Sequence, residues 1–166
     1  KKDIQVVYQS NSLSYKYNFK CGVLDDDSND NDVPSLETRG ANDCVNIYFE
    51  ASYSIYQNKG SVTAVENYVN GFFNVVTTLY DNESVNVAIS EINVWTTPDP
   101  FPVNNSNNAL NFYTNYRTSF NGNIAQLLAK TPNNNGGIAW LDVLCSNSTK
   151  HSYADISMSY SGYPTY

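Results

Sequence analysis

Hydrophobic and polar residues alternate in several short stretches of this chain, and each stretch predicts a half-buried β-strand. The first strand is predicted at residues 13–19, where four apolar side chains share one side: Leu13, Tyr15, Tyr17 and Phe19. Residues 45–52 alternate in the same way, so that one face is apolar and the other mostly polar. Residues 85–95 also predict a strand, and the alternation slips near Ser90 and Glu91 as it does at a β-bulge. Further strands are predicted at residues 124–129, 138–144 and 152–158.

Two other segments repeat their apolar residues with the period of an amphipathic α-helix. The longer segment covers residues 65–80, and Thr63 followed by Glu66 has the spacing of a capping box near its start. The shorter segment covers residues 109–120. A chain that runs strand, helix, strand, helix and then several strands predicts an α/β domain with a mixed sheet.

A change in composition divides the chain near residue 43. Residues 24–43 are acidic and loop-like and contain Pro34 and Gly40, whereas the alternating pattern resumes at Cys44. We therefore predict an N-terminal extension with an acidic linker at residues 1–43 and a domain at residues 44–166. The aspartates of the linker have the spacing of a calcium loop but lack the glycine and the distal glutamate of an EF-hand, which favours a solvated linker.

Composition and charge restrict the class of protein. With 166 residues, of which 41% are hydrophobic, the chain is long enough to form one packed domain. The formal net charge of −7 argues against a nucleic-acid partner. No apolar run reaches the length of about 20 residues that a membrane span requires. Abundant Tyr, Asn, Ser and Thr with few charged residues are typical of secreted proteins, in which disulfides form.

A glycine-led segment at residues 136–145 is the strongest candidate for a functional element. It reads Gly-Gly-Ile-Ala-Trp-Leu-Asp-Val-Leu-Cys and follows the predicted strand at residues 124–129 after one loop rich in Pro, Asn and Gly. A strand at the edge of a sheet offers unpaired N–H and C=O groups to an extended peptide, and glycines let two backbones approach closely. The segment is therefore a candidate docking strand, and a buried strand entered through a glycine turn is the alternative.

Five segments occur in an order that resembles part of a known catalytic domain. They are the strand at residues 47–51, the helix at 65–80, the strand at 87–95, the Ala-Gln-Leu-Leu strand at 125–128 and the Gly-Gly-Ile-Ala-Trp segment. In this order, residues 45–166 resemble the upper half of a reprolysin-like (adamalysin-type, M12B-like) metzincin zinc metallopeptidase. The resemblance implies a metzincin-like upper subdomain with a mixed, mostly parallel twisted sheet of about five strands and two main helices. It also implies that the N-terminal extension contains the end of a prosegment.

The same resemblance implies a secreted zinc-dependent endopeptidase, which hydrolyses peptide bonds with zinc-activated water. The glycine-led edge strand of the family receives a peptide or protein substrate as an extra antiparallel strand. The corresponding substrate-binding residues here are Gly136, Gly137, Ile138 and Ala139. A secreted, non-enzymatic binding or adhesion module, with the many Tyr and Asn residues forming its recognition surface, is the alternative function.

The catalytic motif of the family does not occur in this sequence. That motif, His-Glu-x-x-His-x-x-Gly-x-x-His, supplies the zinc-binding imidazoles and the glutamate that activates the water. The chain has a single histidine, His151, which lies in a polar stretch and is predicted to be solvent-exposed. We expect the numbering to stop just before the zinc helix, so that the zinc ligands belong to the C-terminal remainder of the catalytic domain. A relative of the family that lacks the catalytic site altogether is the alternative. Alone, the chain is expected neither to bind the catalytic zinc nor to cleave peptides.

The three cysteines leave more than one pairing open. By the resemblance, Cys145 corresponds to a cysteine that forms a disulfide with one beyond the zinc helix, and a buried free thiol is the alternative. The Phe-Lys-Cys-Gly-Val sequence around Cys21 resembles the cysteine switch of related zymogens, in which a thiolate binds the zinc. A disulfide between Cys21 and Cys44 is the alternative for that residue.

Many members of the family bind a structural calcium ion through a glutamate and an aspartate. The matching positions are Asn46 and Asn123 in this sequence. Because neutral amides bind calcium less strongly than carboxylates do, no calcium ion is predicted.

Overall fold

The computed structural model describes residues 44–144, 146 and 148–158. Eight elements follow one another in this part of the chain: β1 (Cys44–Ala51), α1 (Tyr53–Lys59), α2 (Val62–Asn82), β2 (Asn86–Val94), α3 (Ser106–Tyr116), β3 (Ile124–Ala129), β4 (Gly137–Ala139) and β5 (His151–Asp155). The predicted strand at residues 13–19 and the acidic linker lie outside the described residues. None of the described helices combines the length and the apolar character needed to cross a membrane.

The five strands form one sheet in the order β2-β1-β3-β5-β4. All neighbouring pairs are parallel except β4 and β5, which are antiparallel. Parallel strands need crossover connections, and α2 and α3 provide them between β1, β2 and β3. The predicted α/β class with a mixed, mostly parallel sheet of five strands is therefore confirmed, and α1 adds a short helix to the two main ones.

Each face of the sheet carries a core. On one face, Phe49 of β1 packs edge-to-face against Phe72 and Phe73 of α2, with ring centroids 5.8 and 5.7 Å apart. On the other face, Tyr113 of α3 and Leu127 of β3 belong to a second buried cluster. The two clusters fix α2 and α3 on opposite sides of the sheet.

The strand β1 is buried on both faces over its C-terminal half, from residue 48 to residue 51. The prediction of a half-buried strand at residues 45–52 is wrong for this half. A central strand of a parallel sheet has helices on both sides, so its alternating residues enter two cores rather than one core and solvent.

The helix α2 begins earlier than the sequence pattern predicts. Its N-cap is Ser61, whose Oγ accepts a hydrogen bond from the Ala64 N–H at 3.2 Å. The predicted capping box is therefore wrong, because Thr63 and Glu66 both lie inside the helix. The serine two positions before Thr63 satisfies the first free N–H group instead.

The predicted bulge in β2 is confirmed. The parallel register pairs Ile47 with Ile89 but Tyr48 with Glu91, so Ser90 is the extra residue. Gly122, in the turn before β3, packs against this point with φ of +159°. A Cβ atom at Gly122 would lie 3.0 Å from the Ser90 Oγ and 3.0 Å from a main-chain oxygen of β1. The bulge and the turn therefore require a residue without a side chain.

We expect the Gly122→Ala variant to lower the free energy of unfolding by about 1–3 kcal/mol, because the added methyl group overpacks the backbone of β1. Gly71→Ala is the matched control, since Gly71 lies inside α2 with open space at its Cβ position. That variant should raise the free energy of unfolding by about 0.5–1 kcal/mol, because a mid-helix glycine is entropically costly. Urea unfolding of both variants checks the two signs, and a neutral Gly122→Ala would contradict the tight turn.

Candidate substrate-docking edge

The strand β4 is an edge of the described sheet. It pairs with β5 and with no other described strand. It covers Gly137–Ala139 only, so the prediction of a strand at residues 138–144 is wrong in its length. The chain turns away beyond it, because Asp142 adopts a left-handed φ of +54° and the Leu141 side chain is 50% exposed.

Two hydrogen bonds define how β4 pairs with β5. The Asp155 N–H donates to the Gly136 carbonyl at 2.9 Å, and the Trp140 N–H donates to the His151 carbonyl at 3.4 Å. In an antiparallel pair, residues that exchange hydrogen bonds with the neighbour alternate with residues whose main-chain groups face away. Gly136 and Trp140 are therefore both residues that exchange hydrogen bonds with β5.

This alternation divides the four predicted substrate-binding residues into two kinds. Gly136 and Ile138 direct their main-chain groups toward β5. Gly137 and Ala139 direct their N–H and C=O groups away from the sheet, where no described strand accepts them. The structure thus brings all four residues to one edge, with two of them open to pairing.

A buried carboxylate holds the loop that leads into β4. Asp155 accepts the Thr131 N–H at 2.9 Å on Oδ1 and the Asn135 N–H at 2.7 Å on Oδ2. The Asn135 Nδ2 in turn donates to the Val103 carbonyl at 2.9 Å. Gly136 then takes a left-handed φ of +75°, which glycine adopts without steric cost. These bonds fix the point at which the edge begins.

The other end of β4 is fixed against α3. The side chains of Ile138 and Trp140 pack on the core beneath α3, and the Trp140 Nε1 donates to the Thr114 Oγ1 at 3.0 Å. Successive strand residues point to opposite faces, so Gly137 and Ala139 lie on the other face of β4. The edge therefore combines outward main-chain groups with little side-chain bulk on that face.

His151 is buried, and the prediction of a solvent-exposed imidazole is wrong. It is the first residue of β5 and is 4% exposed, with its ring edge-to-face against Tyr113 and Phe120 at 5.3 and 5.4 Å. Its Nε2 lies 2.9 Å from the Arg117 carbonyl oxygen, and because a carbonyl only accepts, Nε2 carries the proton. Its Nδ1 has no hydrogen-bond partner among the described residues. Burial lowers the pKa of His151 from its ordinary value of 6.5.

An ion pair between a buried carboxylate and a partly exposed guanidinium joins β1 to the end of α3. Glu50 is 0% exposed, and its carboxylate accepts hydrogen bonds from the Arg117 Nε at 2.8 Å and Nη2 at 2.5 Å. The Trp95 Nε1 donates to the same carboxylate at 2.7 Å. Hydrogen bonding to Glu50 raises the pKa of Arg117, so the guanidinium stays charged. Burial, reinforced by the Glu50 charge, raises the pKa of the neighbouring Tyr48 to about 12.

Sequence reasoning assigns no role to this pair. It places Glu50 on the polar face of a strand and does not single out Arg117. The position of Glu50 between Phe49 and Ala51 could have indicated the pair. In a strand of a parallel sheet such a position is buried, and a buried carboxylate needs a counter-charge.

The cysteine predictions fall mostly outside the described residues. Cys44 is exposed at the start of β1. Cys21 and Cys145 lie outside the part of the chain that the structure describes. The cysteine switch and both disulfide pairings therefore stay predictions.

Asn46 and Asn123 are brought together at the start of β1 and β3. The Asn46 N–H donates to the Asn123 Oδ1 at 2.8 Å, and the Asn123 N–H donates to the Asn46 carbonyl at 2.7 Å. This reciprocal pair joins the two strands through neutral groups.

The described residues do not fit a catalytic zinc ion. Within residues 44–144, 146 and 148–158, no three His, Cys, Asp or Glu side chains are grouped as metal ligands would be. The imidazole of His151 is enclosed by two aromatic rings and a carbonyl rather than by ligands.

Comparison with known proteins identifies the class to which this edge and sheet belong. The sequence model of the Reprolysin (M12B) family zinc metalloproteases matches residues 45–159. The chain therefore belongs to this family, and the resemblance drawn from its motifs is confirmed. No curated protein matches the sequence.

Solved structures share the fold at low sequence identity. One, described as the structure of a chaperone–substrate complex, superimposes with a TM-score of 0.53 at 14% identity and covers 70% of this chain. This chain spans 23% of that protein's chain. A likeness at this level of identity concerns the fold alone.

The Arg117→Met variant should lower the free energy of unfolding by about 2–4 kcal/mol, because it leaves the buried Glu50 carboxylate without its counter-charge. Replacing both Glu50 and Arg117 by methionine should recover most of this loss, since no charge is then buried. Denaturant unfolding of the single and double variants checks the difference. A double variant as unstable as the single one would contradict the pairing.

Stability should fall in acid because of His151. The unfolded chain takes up a proton near the ordinary pKa of 6.5, whereas the folded chain resists protonation until a lower pH. The contribution is therefore complete above that pKa, and it is lost below it by up to about 1.4 kcal/mol per pH unit. His151→Gln keeps a donor for the Arg117 carbonyl but does not titrate. Urea unfolding between about pH 7.5 and about pH 5 should show a steeper loss for the wild type, and parallel curves would refute the role of His151.

Proposed function

We propose that this chain forms the N-terminal part of the catalytic domain of a secreted zinc-dependent endopeptidase, and that β4 docks the substrate. The observation that carries the proposal is the one-sided pairing of β4, which leaves the main-chain groups of Gly137 and Ala139 directed outward. Membership of a zinc metalloprotease family supports the choice of a peptide or protein as the docked molecule.

An extended peptide satisfies this edge by becoming an additional antiparallel strand. Its own N–H and C=O groups bond to those of Gly137 and Ala139, each bond contributing about 0.5–1.5 kcal/mol net. Because Gly137 has no side chain and Ala139 has a methyl group only, the peptide backbone can approach without displacing bulky groups. Gly136 and Ile138 support the site by holding β4 to β5.

The remaining parts of the enzyme complete the proposal. The zinc ligands and the glutamate that activates water come from the C-terminal remainder of the catalytic domain, since the chain has one histidine and it is buried. Residues 1–43 are the end of a prosegment with its acidic linker, and residues 44–166 belong to the catalytic domain. Cys21 is either the switch thiolate of the zymogen or the partner of Cys44.

One observation favours the alternative of a secreted binding module. Phe112 and Tyr116 on α3 are 39% and 46% exposed, and their rings stack with centroids 5.8 Å apart. An exposed aromatic pair is a common element of recognition surfaces. A full-length protein that binds a partner through this pair and cleaves no peptide would support this alternative.

The docking role is tested by proline substitution in the full-length protein. Ala139→Pro removes an outward N–H group that β5 does not use, so casein cleavage should fall at least about tenfold with little change in the unfolding midpoint. Ile138→Pro is the matched control, because it removes an N–H that bonds β5 and should lower stability instead. Cleavage by the wild type must be abolished by a zinc chelator. Full activity of a folded Ala139→Pro variant would refute docking at β4.

A further inference from the structure

A cleft of about 360 Å³ lies at the end of the sheet where β4 finishes. It is formed by the end of α3, the loop that leads to β3 and the residues before β5, and its lining includes Thr114, Thr118, Phe120, Lys150 and His151. Trp140, the residue after β4, donates from its Nε1 to the Oγ1 of Thr114, which lines the cleft. The cleft therefore adjoins the C-terminal end of the docking edge.

The charge of this cleft is opposite to that of the chain. The chain has a formal net charge of −7, yet the described residues that line the cleft include Lys150 and no carboxylate. Asp142, in the loop after β4, does not belong to the lining. The His151 imidazole also lines the cleft, and the remaining polar groups are hydroxyl and amide side chains, such as Thr118 and Asn115, which can donate hydrogen bonds.

We propose that this cleft selects an acidic substrate side chain, with Lys150 as its counter-charge. The inference rests on the proposed docking function. A peptide that pairs antiparallel to β4 runs in the opposite direction, and β4 runs toward the cleft from Gly137 to Ala139. The residues on the N-terminal side of the docked segment therefore lie at the cleft.

The chemistry of the lining discriminates among substrate side chains. A carboxylate gains an ion pair with Lys150 and hydrogen bonds from the neighbouring hydroxyl groups. A basic side chain meets a like charge without a compensating carboxylate, and an apolar side chain leaves the polar lining without partners. Discrimination by such a partly exposed charge is expected to be severalfold rather than absolute.

A second cleft provides an internal control. It has a volume of about 410 Å³ and is lined by Lys130, Thr131 and Ile156 among others. Lys130 and Ile156 directly follow β3 and β5, so this cleft lies at the opposite end of the sheet. An antiparallel peptide places its C-terminal residues there.

The test is cleavage of a peptide library by the full-length, zinc-loaded protein, with the cleaved sites read by mass spectrometry. For the wild type, Asp and Glu should be enriched on the N-terminal side of the cleaved bond. Lys150→Gln should reduce this enrichment by about threefold or more, and Lys150→Glu should replace it by a preference for Lys and Arg. Lys150→Arg keeps the charge and should retain the preference, which separates loss of charge from misfolding. Lys130→Gln should leave the N-terminal preference unchanged.

The outcomes separate this inference from the proposed function. Cleavage without an acidic preference, or with one that Lys150→Gln does not change, overturns the role of the cleft and leaves the protease proposal standing. A Lys150-dependent preference on the C-terminal side of the cleaved bond also overturns it, because the acidic side chain would then not belong to the N-terminal residues that the cleft is proposed to hold. Absence of any cleavage by the wild type refutes the protease proposal and this inference together.

Discussion

The complete burial of the Glu50 carboxylate is the constraint on which the arrangement of the described sheet and helices depends. A charge without access to water needs a counter-charge and hydrogen bonds, and Arg117 and Trp95 provide them. Because Arg117 is the residue that ends α3, satisfying Glu50 also fixes the position of that helix on the sheet. The Arg117 carbonyl then orients His151, and the His151 carbonyl accepts the Trp140 N–H at the end of the edge strand. The geometry of the edge is thus set from within the core.

The edge itself is short because both of its ends are held by side chains. The Asp155 carboxylate accepts hydrogen bonds from two N–H groups of the preceding loop, and the Trp140 side chain donates a hydrogen bond to Thr114 of α3. A long, flat, unpaired edge strand readily pairs with strands of other chains, whereas an edge strand of three residues has few main-chain groups available for such pairing.

Periodicity predicted most of the elements, although not α1 or the short length of β4, and it did not predict their partners. The apolar repeat of α2 and the slipped alternation at Ser90 are local signals, and the structure confirms both elements. The N-cap at Ser61 was missed because Thr63 lies two residues further on with the spacing of a capping box, whereas the Ser61 side chain is the one that accepts a free N–H. His151 was misjudged because its local surroundings in the sequence are polar, while its burial comes from Tyr113 and Phe120, which are distant in the chain. The Glu50–Arg117 pair, separated by 67 residues, is likewise a property of the fold.

The reciprocal hydrogen bonds between Asn46 and Asn123 join the first and third strands without any ionic group. Removing divalent ions from solution leaves these two hydrogen bonds unchanged, because their donors and acceptors are amide groups alone. The pairing of β1 with β3 at this point therefore does not depend on a bound divalent ion.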